Sequence, residues 1–411
     1  MKSNYKRIGD YIRLVDERNT GLKVTDLLGL TIAKTFIPSV ANIIGADMEN
    51  YKIIRRNQFA CSTMQVRRDG KMPVALLADT DEAIISQAYP VFEVADKKQL
   101  LPEYLMMWFS RKEFDREACF YAIGGVRGSL EWSDFCDMRL PVPPIEKQRE
   151  IVAEYHAVQK RINLNNQIIQ TLEATAQAIY KQWFVDFEFP NAEGKPYKSN
   201  GGEMVESEMG KVPKGWRVVP LKSICSKIGS GATPKGGKES YYDSGISLIR
   251  STNVYDYLFS LEDLAFIDEK QAKALNVVTV QEKDILINIT GVSVARCCMV
   301  PKFVLPARVN QHVMIIRANE HDNFPYYLLC TLCFAENKAK LLGISQSGST
   351  REAITKSEIE NFLIVAPNKD IVGSFEKRAT RIFEQMETQV LLNNKLDNLQ
   401  DLLLSKMAKE E

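Results

Sequence analysis

The chain has 411 residues, 45% of them hydrophobic and 26% charged, with a formal net charge of +1. That balance excludes a disordered chain, and no apolar run approaches the roughly 18 residues of a membrane span. Eight cysteines fall without a framework and no secretory leader opens the sequence, so two or three domains in a reducing, cytoplasmic compartment are expected.

Residues 1–142 read as short β-type runs (KRIGDYIRLV, LLGLTIAKTF, YKIIRRNQFACSTMQV, PVALLADT, AIISQAYPVFEV), then one helical segment, LPEYLMMWFSRKEFDREACFYA, a glycine loop and WSDFCDMRLPVPP. Residues 143–190 form the first helical region, opened by Pro143-Pro144, which suits a helix start because proline there gives up only an unpartnered N–H. Ile151, Tyr155, Val158, Ile162, Asn165, Ile169, Leu172, Ala176, Ile179 and Trp183 recur at alternating spacings of four and three, a heptad seam with one polar member. Such a seam needs a partner helix. Residues 191–214, rich in Gly, Glu, Lys and Ser, read as a linker, and residues 215–367 as a second globular region. Residues 368–411 supply the partner, with Val372, Phe375, Ala379, Ile382, Met386, Gln389, Asn393, Leu396, Gln400, Leu403 and Met407 in the same alternation. Both helices carry Leu-Asn-Asn (Leu164–Asn166 and Leu392–Asn394), and a seam asparagine fixes register at some cost in stability.

The two globular regions share one order of parts. The stretch from Tyr5 parallels that from Trp216, and YKIIRRNQFACSTM parallels VTVQEKDILINIT. ISQAYPVFEVAD parallels VNQHVMIIRANE with a shared Gln before the strand, and LPEYLMMWF parallels FPYYLLCTL. RGSLEWSDFCDMRLPVPP parallels GSTREAITKSEIENFLIVAP, and a long helix closes each copy. The fold class expected is therefore α/β (α+β): two similar domains separated by two long helices that pair in a coiled coil, a pseudo-twofold internal repeat. A two-headed chain suits a partner with two related halves. Split duplex DNA is one candidate, with helices setting the gap as half-site spacing does in dimeric readers; an adaptor gripping two proteins without reading DNA is the other.

Charge is silent on nucleic acid. Residues 1–144 carry 20 Lys and Arg against 19 Asp and Glu, and residues 210–367 carry 19 against 15. A lone DNA-gripping protein shows a stronger basic bias, so contacts must use local clusters or partners that share the phosphates. Catalytic signatures are missing: no GxGxxG, no Asn-Pro-Pro-aromatic, no Walker or helicase motif. GSGATPKGGK (Gly229–Lys238) lacks the Gly-Lys-Ser/Thr ending of a phosphate loop and reads as a flexible loop. Cys330 and Cys333 match CxxC but sit in the apolar run YYLLCTLCF, opposite Met107 and Ser110 in the other copy, so they read as core. His156, His312 and His321 have no metal-ligand spacing.

On LPVPPIEKQREIV, QAIYKQWFVDFEFPNAEGKPYKSNGGEMVESEMGKVPKGWRVVPL and SGSTREAITKSEIENFLIVAP, the chain resembles the specificity subunits of Type I restriction–modification systems over essentially its full length. The resemblance implies two target-recognition domains on a pair of antiparallel helices that space two DNA half-sites and dock two modification (methyltransferase) subunits. Restriction subunits would join through those. It implies no catalytic site and no cofactor in this chain, with S-adenosylmethionine, ATP and Mg confined to partner subunits. One departure is APNKDIVGSF, where the second helix lacks the proline-pair opening. Arg and Lys beside small polar residues in loops are the candidates for DNA contact: Arg55, Arg56, Arg67, Arg68, Arg127 and Ser129 in the first domain, and Lys235, Lys238, Arg250, Asn253, Arg296, Ser349 and Arg351 in the second.

Overall fold

A computed structural model describes residues 5–39, 47–64, 66–122, 128–319, 324–346 and 352–408. The chain divides into two compact units, residues 1–163 with 395–411, and residues 164–394.

The first unit holds strands β1 (Tyr5–Arg7), β2 (Ile12–Val15), β3 (Leu27–Leu30), β4 (Phe36–Pro38), β5 (Lys52–Arg55), β6 (Gln58–Cys61), β7 (Val74–Leu76), β8 (Glu82–Ile85), β9 (Val91–Val94) and β10 (Arg139–Pro141). Its helices are α1 (Val66–Asp69), α2 (Pro102–Phe109), α3 (Lys112–Tyr121), α4 (Trp132–Asp137) and the start of α5 (Ile145–Tyr180). Two four-stranded sheets run β2-β9-β6-β7 and β4-β3-β8-β5, and β1 pairs with β10. Phe59 stacks on Phe92 at 5.0 Å, and Phe109, Phe114 and Phe135 close round them as the core. The helical stretch expected to be continuous is broken between α2 and α3. Ser110 Oγ bonds back to the Met106 carbonyl, and Arg111 turns to extended backbone with its guanidinium 4.1 Å from the Trp108 ring centre.

The second unit holds β11 (Met204–Val205), β12 (Val212–Pro213), β13 (Arg217–Pro220), β14 (Cys225–Ser230), β15 (Ile246–Ile249), β16 (Ala265–Ile267), β17 (Thr279–Val280), β18 (Ile285–Asn288), β19 (Cys297–Met299), β20 (Ala307–Val309), β21 (Val313–Ala318) and β22 (Leu363–Ala366). Its helices are α6 (Glu269–Ala274), α7 (Pro325–Cys333), α8 (Ala335–Gln346), α9 (Lys356–Glu360) and most of α10 (Lys369–Lys406). The order β14-β21-β18-β19 repeats β2-β9-β6-β7, β16-β15-β20-β17 repeats β4-β3-β8-β5, and β13–β22 repeats β1–β10. The parallel pairing of β3 with β8 recurs as β15 with β20. The internal repeat read from the sequence is thus a repeat of topology.

The stretch read as a linker is folded. Its β11–β12 hairpin is preceded by Tyr197, stacked on Phe189 at 4.6 Å, and Phe189 stacks on Trp216 at 5.0 Å. Gly202 permits this, since a Cβ there would stand 2.3 Å from the Tyr197 ring. Polar composition concealed that Tyr197, the one aromatic within 191–214, joins the flanking Phe189 and Trp216, which belong to the core of the second unit.

α5 has 36 residues, about 54 Å of helix, and α10 has 38. In the first unit Ile151 and Ile162 are buried, with Tyr155 and Val158 half-buried. Leu396 and Leu403 of α10 are half-buried, Leu404 and Met407 buried, and Gln400 donates to Gln159 at 2.9 Å. In the second unit Ile169, Ala176, Phe375, Ala379 and Met386 are buried in one core, joined by half-buried Leu172, Ile179 and Ile382. The start of α5 thus shares a core with the end of α10, and its end with the start of α10: the pair is antiparallel. Asn165 Nδ2 donates to Asn393 Oδ1 at 2.9 Å, and Asn393 Nδ2 to Asn166 Oδ1 at 2.7 Å. The two Leu-Asn-Asn repeats therefore meet, and another register would take the partner from the buried Asn165 amide.

Candidate nucleic-acid interface

In the second unit, connections from distant parts of the chain meet at one end of the β14-β21-β18-β19 sheet. Asn288, the last residue of β18, is fully buried there. Its N–H donates to the Arg296 carbonyl and its C=O accepts from the Ala295 N–H, both at 2.8 Å, which closes the β18–β19 turn. Its side-chain amide donates to the Ser251 carbonyl at 2.9 Å and to Ser293 Oγ at 3.1 Å, tying the turn after β15 to the turn after β18. Ile289 N–H donates to the His312 carbonyl at 3.0 Å, which brings in the β20–β21 turn. Gly291 N–H donates to the Glu352 carbonyl at 3.0 Å, which brings in the segment before α9. The glycine-rich stretch after β14 lies against the same turn, with Gly231 N–H on the Val313 carbonyl and Ala232 N–H on the Val309 carbonyl. Only glycine fits at Gly231, where a Cβ would stand 2.1 Å from the Val309 carbonyl oxygen.

The side chains presented on this platform are suited to base edges and phosphates. Thr290 Oγ1 lies 2.7 Å from His312 Nδ1, and Gln311 Nε2 lies 3.3 Å from His312 Nε2. The Arg296 guanidinium sits 4.8 Å from the Tyr255 ring centre, and Tyr255 is exposed. Arg250 donates to the Asp263 carbonyl beside Tyr241. Lys235 and Lys238 are exposed and, among the described residues, form no ion pair. The first unit gathers the matching connections: Leu130 N–H donates to the Thr63 carbonyl at 2.9 Å, Arg67 N–H to the Gly128 carbonyl at 3.3 Å, and Cys61 N–H to the Pro90 carbonyl at 3.1 Å. Arg67 is exposed and Ser129 half-buried at that junction.

Several residues expected at a DNA face are engaged elsewhere. Arg55 ends β5 and Arg56 follows in the turn that leads into β6, at the end of β6 away from the junction. Arg55 is held by Glu17 and Glu82, and Arg56 by Asp81 and the Ala78 carbonyl. Arg68 is clasped by Asp69 at 2.6 and 3.1 Å. Asn253 is fully buried: it accepts from the Arg250 N–H and donates to the Ser260 and Glu262 carbonyls at 3.0 Å each, so it shapes a loop and offers nothing outward. Arg127, Ser349, Arg351 and His321 lie outside the described residues. Thr290, Gln311 and His312, which were not among the expected contacts, stand at this junction as well. A signal for Gln311 is present in the repeat, which places Gln87 and Gln311, both exposed, at the same point before a strand.

Among the described residues no group of three His, Cys, Asp or Glu could hold a metal ion. Cys330 and Cys333 are buried free thiols, and burial holds the Cys330 thiol well above its ordinary range. No described helix is long and apolar enough to cross a membrane.

The family model for the Type I restriction modification DNA specificity domain matches residues 63–174 and 213–400. The chain belongs to the Type I restriction–modification DNA specificity family. Each matched segment of this specificity chain includes the β6–β7 or β18–β19 turn and continues into a long helix. The specificity subunit of the Type I restriction enzyme HindI from Haemophilus influenzae is 22% identical over 384 residues, covering 81% of this chain and 82% of that protein. That of MjaIX from Methanocaldococcus jannaschii is 26% identical over 322 residues, covering 77% and 70%. The crystal structure of a Type I restriction–modification S subunit from M. genitalium shares the fold, with a TM-score of 0.56 at 13% identity over 98% of this chain and 95% of that one.

Proposed function

We propose that this specificity subunit reads a split duplex site, each unit contacting one half through the junction of loops just described. The observation that carries the reading is that both copies gather corresponding strand connections at the same end of the same sheet. Polar and cationic side chains stand on rigid turns there, as direct readout requires. The near-neutral charge is consistent with sharing phosphate contacts with partners. Two modification subunits dock on the helix pair and restriction subunits join through them. The chain itself contributes recognition and no turnover, acts in the cytoplasm, and leaves S-adenosylmethionine, ATP and Mg to those partners.

The test uses the chain co-purified with its modification subunits. DNA methylated by that complex is sequenced to find its motif, and duplexes bearing the motif or a scrambled version compete for binding. One split motif and preferential binding to it are expected. Equal binding to both duplexes would overturn the reading.

A further inference from the structure

Val292 is 99% exposed, an aliphatic side chain almost wholly in water. A lone exposed aliphatic means little by itself, but this one is held in place. It occupies the middle of a tight turn, Gly291–Ser293, in which Gly291 takes φ +74° and Val294 N–H donates to the Gly291 carbonyl at 2.9 Å. Gly291 is pinned to Glu352, and Ser293 Oγ accepts from the buried Asn288 amide at 3.1 Å. The residue before the turn, Thr290, belongs to the polar chain Thr290–His312–Gln311. The corresponding connection in the first unit also presents an exposed apolar residue, Met64, directly after Thr63, whose carbonyl is bonded to Leu130. An apolar tip beside hydrogen-bonding groups matches the thymine edge in the major groove, where a C5-methyl stands next to the O4 acceptor.

We propose that Val292 makes the second unit select a thymine by packing on its C5-methyl group, an inference that rests on the DNA-reading assignment above. The neighbouring Gln311, oriented through His312 and Thr290, supplies hydrogen bonds to the same groove.

Deoxyuridine differs from thymidine only in lacking that methyl, so it probes the contact directly. With the complex of chain and modification subunits, each thymine of the mapped motif is replaced in turn by deoxyuridine and affinity is measured. For the unaltered chain, one thymine is expected to weaken binding about fourfold when replaced, the value of one buried methyl-sized group. Val292→Ala, which keeps only Cβ, is expected to reduce that sensitivity and to leave the other thymines unchanged; the side chain is 99% exposed and touches no core, so the variant folds. A motif without thymine, no sensitive thymine, or unchanged sensitivity in Val292→Ala would overturn the inference while leaving the reading intact. Failure of the unaltered complex to prefer its motif over a scrambled duplex would overturn both.

Discussion

Arg317 in β21 clasps Asp284, fully buried just before β18, through two parallel bonds of 2.6 and 2.7 Å. Asp284 also accepts from the Gln281 N–H at 2.7 Å, and Arg317 donates onward to the Thr279 carbonyl at 3.2 Å, so both charges are satisfied. A pair of this kind adds little over a well-packed apolar pair, but removing one member strands the other. Arg317→Ala is expected to destabilise the second unit by about 3 kcal/mol in urea unfolding, the low end of the usual range because Arg317 is 21% exposed. A loss under 1 kcal/mol would show that water reaches Asp284. Residues at this scale are poorly legible in sequence. Asn253 and Asn288 are both fully buried amides, yet one holds a single loop while the other ties two turns together. Only the position of the facing carbonyls separates them.

At the scale of elements, each long helix supplies a side chain that caps a helix of its globular domain. Gln148 of α5 accepts from the Leu101 N–H at 2.9 Å and donates to the Gln99 and Pro143 carbonyls. In the other copy Glu376 of α10 accepts from the Tyr327 N–H at 2.6 Å and the Tyr326 N–H at 3.4 Å, at the start of α7. Burial pushes the Glu376 carboxyl up to about 7, against the opposing pull of those two N–H groups and Lys283. In the unfolded chain it returns to about 4.5. Below that pH the group is neutral in both states. Between about pH 4.5 and 7 the unfolded chain ionises while the folded chain keeps the proton, so stability falls by about 3 kcal/mol and then levels off. Glu376→Gln, which copies the neutral Gln148, is expected to keep the cap and remove this fall. Thermal unfolding would then show a higher Tm than the parent at pH 8 and a similar one at pH 4.5. A parent curve flat across that window would refute it. The heptad seams, by contrast, are readable in the chain, because a helix buries every third or fourth residue whatever its neighbours are. Tyr180 and Phe383, buried beside the seam, escape the strict heptad: each sits one position past a seam residue, Ile179 and Ile382.

For the whole molecule, the helix pair is expected to set the gap between half-sites. Removing one heptad from each long helix takes out about 10.5 Å of rise, close to three base pairs at about 3.4 Å each. Methylated DNA from cells carrying that variant should show both half-sites unchanged and a spacer shorter by about three base pairs. An unchanged spacer would remove the helices from that role. The sequence by itself determined the two seams, their paired asparagines and the doubled order of strands, because helix period and chain order are local properties that leave a mark in residue type and spacing. It could not determine which loops share a surface. Strand connections as far apart in the chain as Ser251, Asn288, His312 and Glu352 meet only after β14, β21, β18 and β19 have formed one sheet. That Arg55 and Arg56 meet carboxylates as distant in the chain as Glu17, Glu82 and Asp81 is likewise decided by long-range packing, which no single stretch of sequence contains.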